Sequence, residues 1–89
     1  MAQLLVHHKV QDYAAWRKVY DELGRTRAQF GSTGDRVYRT ANDPNEVVII
    51  TEWPDVERAR AYAQSPDLKE GMQRAGVISQ PEVLFLEEA

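Results

Sequence analysis

The sequence has no cysteine, and its longest uninterrupted apolar runs are only four residues, such as Val47 to Ile50. Because cysteine is absent, a disulfide framework, a thiolate nucleophile and a cysteine-ligated zinc or iron–sulfur site are excluded. Four apolar residues are far fewer than the ~20 that a membrane-spanning helix needs. The first nine residues contain neither a basic segment nor a long apolar one, so no signal peptide is expected. We therefore expect a cytoplasmic protein with no membrane partner.

Positive charge and cofactor motifs are also scarce. The 11 Lys and Arg residues stand against 14 Asp and Glu, for a net charge of −3. The cations are interspersed with anions instead of forming a basic patch, so nucleic acid is not an expected partner. The phosphate-binding glycine loop, the dinucleotide fingerprint, the H-E-x-x-H zinc motif and the calcium loop are all absent. The sequence therefore predicts neither a metal site nor an organic cofactor.

Hydrophobic periodicity divides the chain, interpreted as one domain over residues 1–89, into six elements. The predicted elements are a strand over 4–10, a helix over 12–31, strands over 36–40 and 46–53, a helix over 54–76 that restarts at Ser65-Pro66, and a strand over 81–86. This βαββαβ order is typical of a ferredoxin-like α+β sandwich, in which helices cover one face of an antiparallel sheet.

Three of the four predicted strands carry large apolar side chains on both faces, whereas a sheet with one wet face should alternate. The three runs are Leu4-Leu5-Val6, Val47-Val48-Ile49-Ile50 and Val83-Leu84-Phe85-Leu86. Two helical segments can cover only one face, and a chain of 89 residues builds a thin core by itself. A second copy of the chain is the simplest cover for the other face, so a homodimer is predicted.

The region from the third strand into the second helix carries a recognisable motif. Its residues are Glu52-Trp53-Pro54-Asp55, Ala59, Tyr62 and Ser65-Pro66-Asp67-Leu68. The run resembles the stretch E-W-x-D-x-x-x-A-x-x-H-x-x-S-P-x-F of the antibiotic biosynthesis monooxygenase family. The resemblance implies a dimeric α/β barrel, in which two ferredoxin-like sheets close face to face with the helices outside. Members include cofactor-independent quinone-forming monooxygenases, haem-degrading enzymes, polyketide cyclases and small proteins of unknown role.

The chain departs from that family pattern at two positions. Tyr62 stands where many relatives have histidine, and Asp67 stands where a second histidine often follows the Ser-Pro pair. A tyrosine hydroxyl can donate a proton but is a poor base near neutrality, since its ordinary pKa is about 10. The haem-degrading members resemble one another in an Asn-Trp-His arrangement. Neither an asparagine on the first strand nor a histidine in a helix is present here, so haem is not expected.

His7 and His8 are the only two histidines, and as neighbours on one strand they must point to opposite faces. His8 shares its face with Leu4, Val6 and Val10, so we place it on the helix side and His7 toward the dimer. A histidine there could take a proton from a phenol or an activated methylene. His8 is therefore the candidate catalytic base, with Tyr62 as proton donor or positioning group. The alternative is a core histidine bonded to a neighbouring carbonyl or carboxylate.

A hydrophobic aromatic ligand would need an apolar pocket between sheet and helices. The candidate substrate-binding residues are Trp16, Trp53, Tyr38 and Met72. The same side chains are also those that any small core needs, so a purely structural role is the alternative for each.

Two functional hypotheses follow. In the first, the chain is a cofactor-independent monooxygenase or a polyketide-type cyclase acting on a hydrophobic aromatic substrate. In the second, it is a non-catalytic binding or accessory protein with the same dimeric barrel. A cavity beside His8 is expected under the first hypothesis and is dispensable under the second.

Overall fold

The computed structural model describes residues 1–89, which form four strands and four helices. The elements are β1 (Ala2–Lys9), α1 (Tyr13–Glu22), α2 (Gly24–Phe30), β2 (Gly34–Arg39), β3 (Glu46–Trp53), α3 (Val56–Ala63), α4 (Pro66–Ala75) and β4 (Glu82–Glu87). None of the four helices is long and apolar enough to cross a membrane.

The strands form one antiparallel sheet in the order β2-β3-β1-β4. Burial alternates strictly along β1 and β3, because one face of the sheet packs against the helices and the other does not. The predicted ferredoxin-like α+β fold is confirmed. Strands β2 and β3 pair as a hairpin, with Gly34 opposite Glu52 and Arg39 opposite Val47.

Three helix starts depend on side-chain caps. The carboxylates of Asp12 and Asp55 accept from the amides of Ala15 and Arg58, and the hydroxyl of Ser65 accepts from the amide of Leu68. Each cap satisfies one of the amides that a helix N-terminus leaves without a partner.

Ser65 is buried and makes two side-chain hydrogen bonds at the junction of α3 and α4. Its hydroxyl donates to the carbonyl of Tyr62 at 2.7 Å and accepts from the amide of Leu68 at 3.1 Å. Ser65→Ala is expected to lower the free energy of unfolding by about 1–2 kcal/mol, measured by urea denaturation. Ala at the exposed neighbour Gln64 is the control, with an expected change within about 0.5 kcal/mol. Equal effects of the two substitutions would contradict the capping role.

The first helical segment differs from the prediction, because it is two helices and not one. The break is at Leu23-Gly24, and glycine has the lowest helical preference after proline. The second helix then ends at Gly31, whose φ of 110° lies in the left-handed region that suits glycine. The break turns α2 so that its Arg27 side chain reaches back to the carbonyl of Tyr20 at 3.0 Å.

The sheet face that points away from the helices remains apolar. Its hydrophobic side chains are Leu5, Tyr38, Val48, Ile50, Leu84 and Leu86. Leu84 is 48% exposed and Tyr38 is 47% exposed. No element of the chain covers this surface, which we call the outer sheet face.

Candidate functional site

A cavity of about 50 Å³ lies between the inner sheet face and the helices. Its walls are mostly hydrophobic, and they come from β1, β3 and all four helices. The volume has room for a few water molecules. No group of three or more His, Asp or Glu side chains is placed to hold a metal ion. The polar side chains that line the cavity are those of His8, Tyr20, Arg27, Thr51 and Tyr62.

His8 is the most unusual of those polar side chains. It is 4% exposed, it lines the cavity, and neither of its ring nitrogens has a hydrogen-bond partner. The ring meets Trp16 edge-on, with 5.9 Å between centroids. Burial, together with the smaller effect of the nearby His7, lowers the pKa of His8 from 6.5 to about 4. His8 is therefore a neutral imidazole at physiological pH, with one free acceptor nitrogen and one free donor.

The placement of His8 is consistent with its predicted position on the helix side of β1. A core histidine bonded to a carbonyl or carboxylate was the alternative, and no such bond is present. An unsatisfied buried polar group costs about 1–3 kcal/mol. An uncompensated cost of this kind is typical of functional positions, where a ligand supplies the missing partner.

His7 points to the outer sheet face, as strand alternation requires. Its Nε2 lies 2.6 Å from a carboxylate oxygen of Glu46, and its Nδ1 lies 3.6 Å from one of Glu82. His7 is therefore well supplied with polar partners and does not reach the cavity.

Tyr62 lies in α3 and also lines the cavity. Its ring packs between Trp53 and Phe30, at centroid distances of 5.4 and 5.6 Å. Burial raises the pKa of Tyr62, and the positive charge of Arg27 opposes that rise in part. The hydroxyl is protonated at neutral pH, so Tyr62 can donate a hydrogen bond or a proton but cannot serve as a base.

The four predicted substrate-binding residues divide into two pairs. Trp16 and Met72 line the cavity, and the indole of Trp16 stacks on Tyr20 at 4.9 Å. Trp53 and Tyr38 lie outside it. Trp53 is fully buried behind Tyr62, where its indole N–H donates to the hydroxyl of Thr51 at 2.8 Å. Tyr38 pairs with Val48, and this register directs it to the outer sheet face.

Sequence reasoning missed Arg27, which lines the cavity and is only 7% exposed. The spacing of Arg27 from its apolar neighbours in the sequence could have indicated it. Arg27 follows Leu23 by four residues and precedes Phe30 by three, which places a charged residue on the apolar face of the helical pattern.

An open groove of about 440 Å³ adjoins the cavity at the edge of the sheet, beside β4. Val6, Leu68 and Met72 line both spaces and form the wall between them. Leu68 and Met72 are unbranched at Cβ, and methionine adapts readily to changes in shape. Two adaptable side chains therefore lie between the groove and the cavity that contains His8.

A sequence profile described as antibiotic biosynthesis monooxygenase matches residues 5–74, which include the second half of β1, helices α1 to α3, both strands of the hairpin and all of α4 except its last residue. The chain belongs to this family. A comparison with the curated proteins gave no match.

Solved structures of the family's fold align over nearly the whole chain. A candidate antibiotic biosynthesis monooxygenase from Bordetella bronchiseptica has a TM-score of 0.83 at 17% identity, covering 99% of this chain and 96% of that one. A conserved protein from Methanosarcina mazei Go1 has a TM-score of 0.79 at 14% identity, covering 99% and 92%. SnoaB from Streptomyces nogalater, a cofactor-independent oxygenase, has a TM-score of 0.75 at 16% identity, covering 99% and 94%.

The buried imidazole in this family member makes a testable contribution to stability. Because the pKa of His8 is about 4 when folded and 6.5 when unfolded, the unfolded state binds more protons between these values. The His8 contribution is complete above pH 6.5 and is lost as the pH falls toward 4. It changes by about 2 kcal/mol between pH 7 and pH 5. Urea denaturation at fixed protein concentration should show this change in the difference between wild type and His8→Leu. Parallel pH profiles for the two proteins would contradict it.

Proposed function

We propose that this chain is a cofactor-independent monooxygenase that oxidises a hydrophobic aromatic molecule in the cavity beside His8. One observation carries the proposal: a neutral, unpartnered histidine faces a mostly apolar cavity. Family membership and the structural likeness to SnoaB, which is described as a cofactor-independent oxygenase, support it.

The chemistry requires a substrate that can supply electrons to dioxygen itself. A phenolic ring with an activated methylene group meets this requirement, because loss of one proton gives a delocalised carbanion. His8 takes that proton, and Tyr62 donates a hydrogen bond to the oxygen on which the negative charge gathers. The carbanion transfers electrons to dioxygen, and the methylene becomes a carbonyl. The balance is CH₂ plus O₂ giving C=O plus H₂O, so no external reductant is needed.

His8 is suited to this step by its protonation state. With a pKa of about 4, the free imidazole remains available as a proton acceptor throughout the physiological range. The imidazolium and carbanion that form together attract each other strongly in an apolar cavity, which offsets the weak basicity of the isolated ring.

The proposal includes a homodimer built on the outer sheet face. That face carries six apolar side chains that no element of the chain covers, and Leu84 at its edge is nearly half exposed. Exposed apolar patches of this kind mark interaction sites, and a symmetric pair of identical faces is the simplest cover.

Two other functions use the same cavity. A polyketide-type cyclase would use His8 and Tyr62 for proton transfer without consuming oxygen. A non-catalytic binding protein is favoured by the volume of about 50 Å³, since a multi-ring substrate is larger than this cavity.

Oxygen uptake with 1,8-dihydroxyanthrone tests the proposal, because this three-ring phenol carries an activated methylene. We expect the purified protein to accelerate oxygen uptake above the uncatalysed rate, with the corresponding anthraquinone as product. Heat-denatured protein is the control for spontaneous oxidation. Binding without accelerated uptake would favour the non-catalytic function. Conversion of a linear polyketide analogue without oxygen uptake would favour the cyclase.

A further inference from the structure

Arg27 is a buried cation without an anionic partner. The residue is 7% exposed, and none of the five ion pairs in the structure includes it. The guanidinium stacks over the ring of Tyr20, with Cζ 3.8 Å from the ring centroid. One of its N–H groups donates to the carbonyl of Tyr20 at 3.0 Å.

These contacts with Tyr20 use only part of what a guanidinium offers. The group carries five N–H donors in a planar fork that matches a carboxylate or another planar oxyanion. A single bond to a helix carbonyl does not neutralise the charge, and an unpaired buried charge is strongly unfavourable. The hydroxyl of Tyr20 does not compensate, because it donates to the carboxylate of Asp35 at 2.5 Å.

A second polar group in the cavity, His8, also has unused hydrogen-bonding capacity. His8 presents two ring nitrogens that have no hydrogen-bond partner in the protein, and Arg27 lines the same cavity. His8, whose ring nitrogens have no hydrogen-bond partner, and Arg27, whose charge has no anionic partner, therefore face one small apolar space, and both residues are more than nine-tenths buried. A purely apolar ligand would leave the His8 nitrogens without a hydrogen-bond partner and the Arg27 charge without a counter-ion.

We propose that the cavity binds an anionic ligand, namely a flat apolar ring system with a carboxylate, phenolate or enolate group, and that Arg27 binds the anionic group. This inference rests on the proposed function, since it takes the cavity to be the ligand site. Arg27 is then a specificity-determining residue that selects acidic aromatic molecules over neutral ones of the same shape.

Binding of matched acids and amides tests the inference. The probes are 2-naphthoate and its neutral isostere 2-naphthamide, with the benzoate and benzamide pair for a smaller ring. Titrations are followed by tryptophan fluorescence, because Trp16 lines the cavity. For the wild type we expect each acid to bind at least about 10-fold more tightly than its amide. For Arg27→Met we expect the ratio to fall to within about 2-fold.

Two further variants control for the loss of charge and for a failure of Arg27→Met to fold. Arg25→Met removes an equal charge from an exposed position on the same helix, so its ratio should match the wild type. Arg27→Gln loses the charge but retains a donor for the Tyr20 carbonyl, and it replaces Arg27→Met if that variant does not fold. Its ratio should also fall to within about 2-fold.

The outcomes separate this inference from the proposed function. If acid and amide bind equally well to the wild type, the Arg27 inference is overturned and the cavity remains a ligand site. If Arg27 variants lose stability and keep the acid preference, Arg27 has a structural role only and the inference is again overturned. If no probe changes the tryptophan fluorescence of the wild type, the ligand cavity itself fails.

Discussion

Replacing His8 with glutamine is expected to lower kcat/KM for oxygen uptake with 1,8-dihydroxyanthrone by about 100-fold or more. Glutamine keeps polar atoms in the cavity but cannot accept a proton. A positioned general base contributes about 10²–10⁴-fold to a rate, so its loss should dominate the kinetics. KM should change much less, because the apolar walls that bind the rings are intact.

The matched control is His7→Gln, one residue away on the same strand. His7 faces Glu46 and Glu82 on the outer sheet face and does not reach the cavity, so its substitution should leave kcat/KM within about 3-fold. An equal loss in both variants would point to general damage to β1. Retention of full activity in His8→Gln would exclude His8 as the base.

Leu84→Glu is expected to dissociate the proposed homodimer. Leu84 is 48% exposed in the isolated chain, so a charge there is tolerated by the monomer. In a symmetric dimer the substitution buries two unpaired carboxylates at once, which should raise the dissociation constant by about 1,000-fold or more. Sedimentation velocity should therefore report twice the 10.2 kDa chain mass for the wild type and a single chain for the variant.

Ile78→Glu is the control for that experiment. Ile78 is 66% exposed and lies between α4 and β4, outside the sheet. Its substitution adds the same charge and should leave the dimer intact. A monomeric wild type, or a dimeric Leu84→Glu variant, would contradict an interface on the outer sheet face.

The fold and the sheet face on which His8 lies could be predicted from the sequence because both follow from backbone geometry. Alternation along a strand has a period of two, so the face shared by Leu4 and Val6 was necessarily the face of His8. The helix starts could also be predicted, since Asp12, Asp55 and Ser65 are typical capping residues.

Tyr38 and Trp53 were predicted to line the pocket but lie outside it. Their positions depend on strand register and packing, which a single sequence does not specify. Tyr38 was expected near the pocket, but its pairing with Val48 places it on the other face of the sheet. Trp53 is apolar and adjacent to Tyr62 in space, yet its bond to Thr51 fixes it in the layer behind the cavity. Neither outcome can be read from hydrophobicity, because both faces of the sheet are apolar.

Arg27 depends on a local break that periodicity alone does not reveal. A continuous helix was expected through Leu23, whereas the break at Gly24 turns α2 and brings the guanidinium over Tyr20. The indication in the sequence was a charged residue on an otherwise apolar helix face, and such a residue is a candidate for a functional role.

The central claim is that a small molecule binds in the cavity in contact with His8. The most direct test is an NMR titration of the ¹⁵N-labelled imidazoles under anaerobic conditions, because the chain has only two histidines. In the free protein His8 should titrate near pH 4. Addition of 1,8-dihydroxyanthrone should shift the His8 nitrogens and protonate the ring at neutral pH, while His7 stays unchanged. A His8 signal that titrates near 6.5 and does not respond to the ligand would contradict the claim.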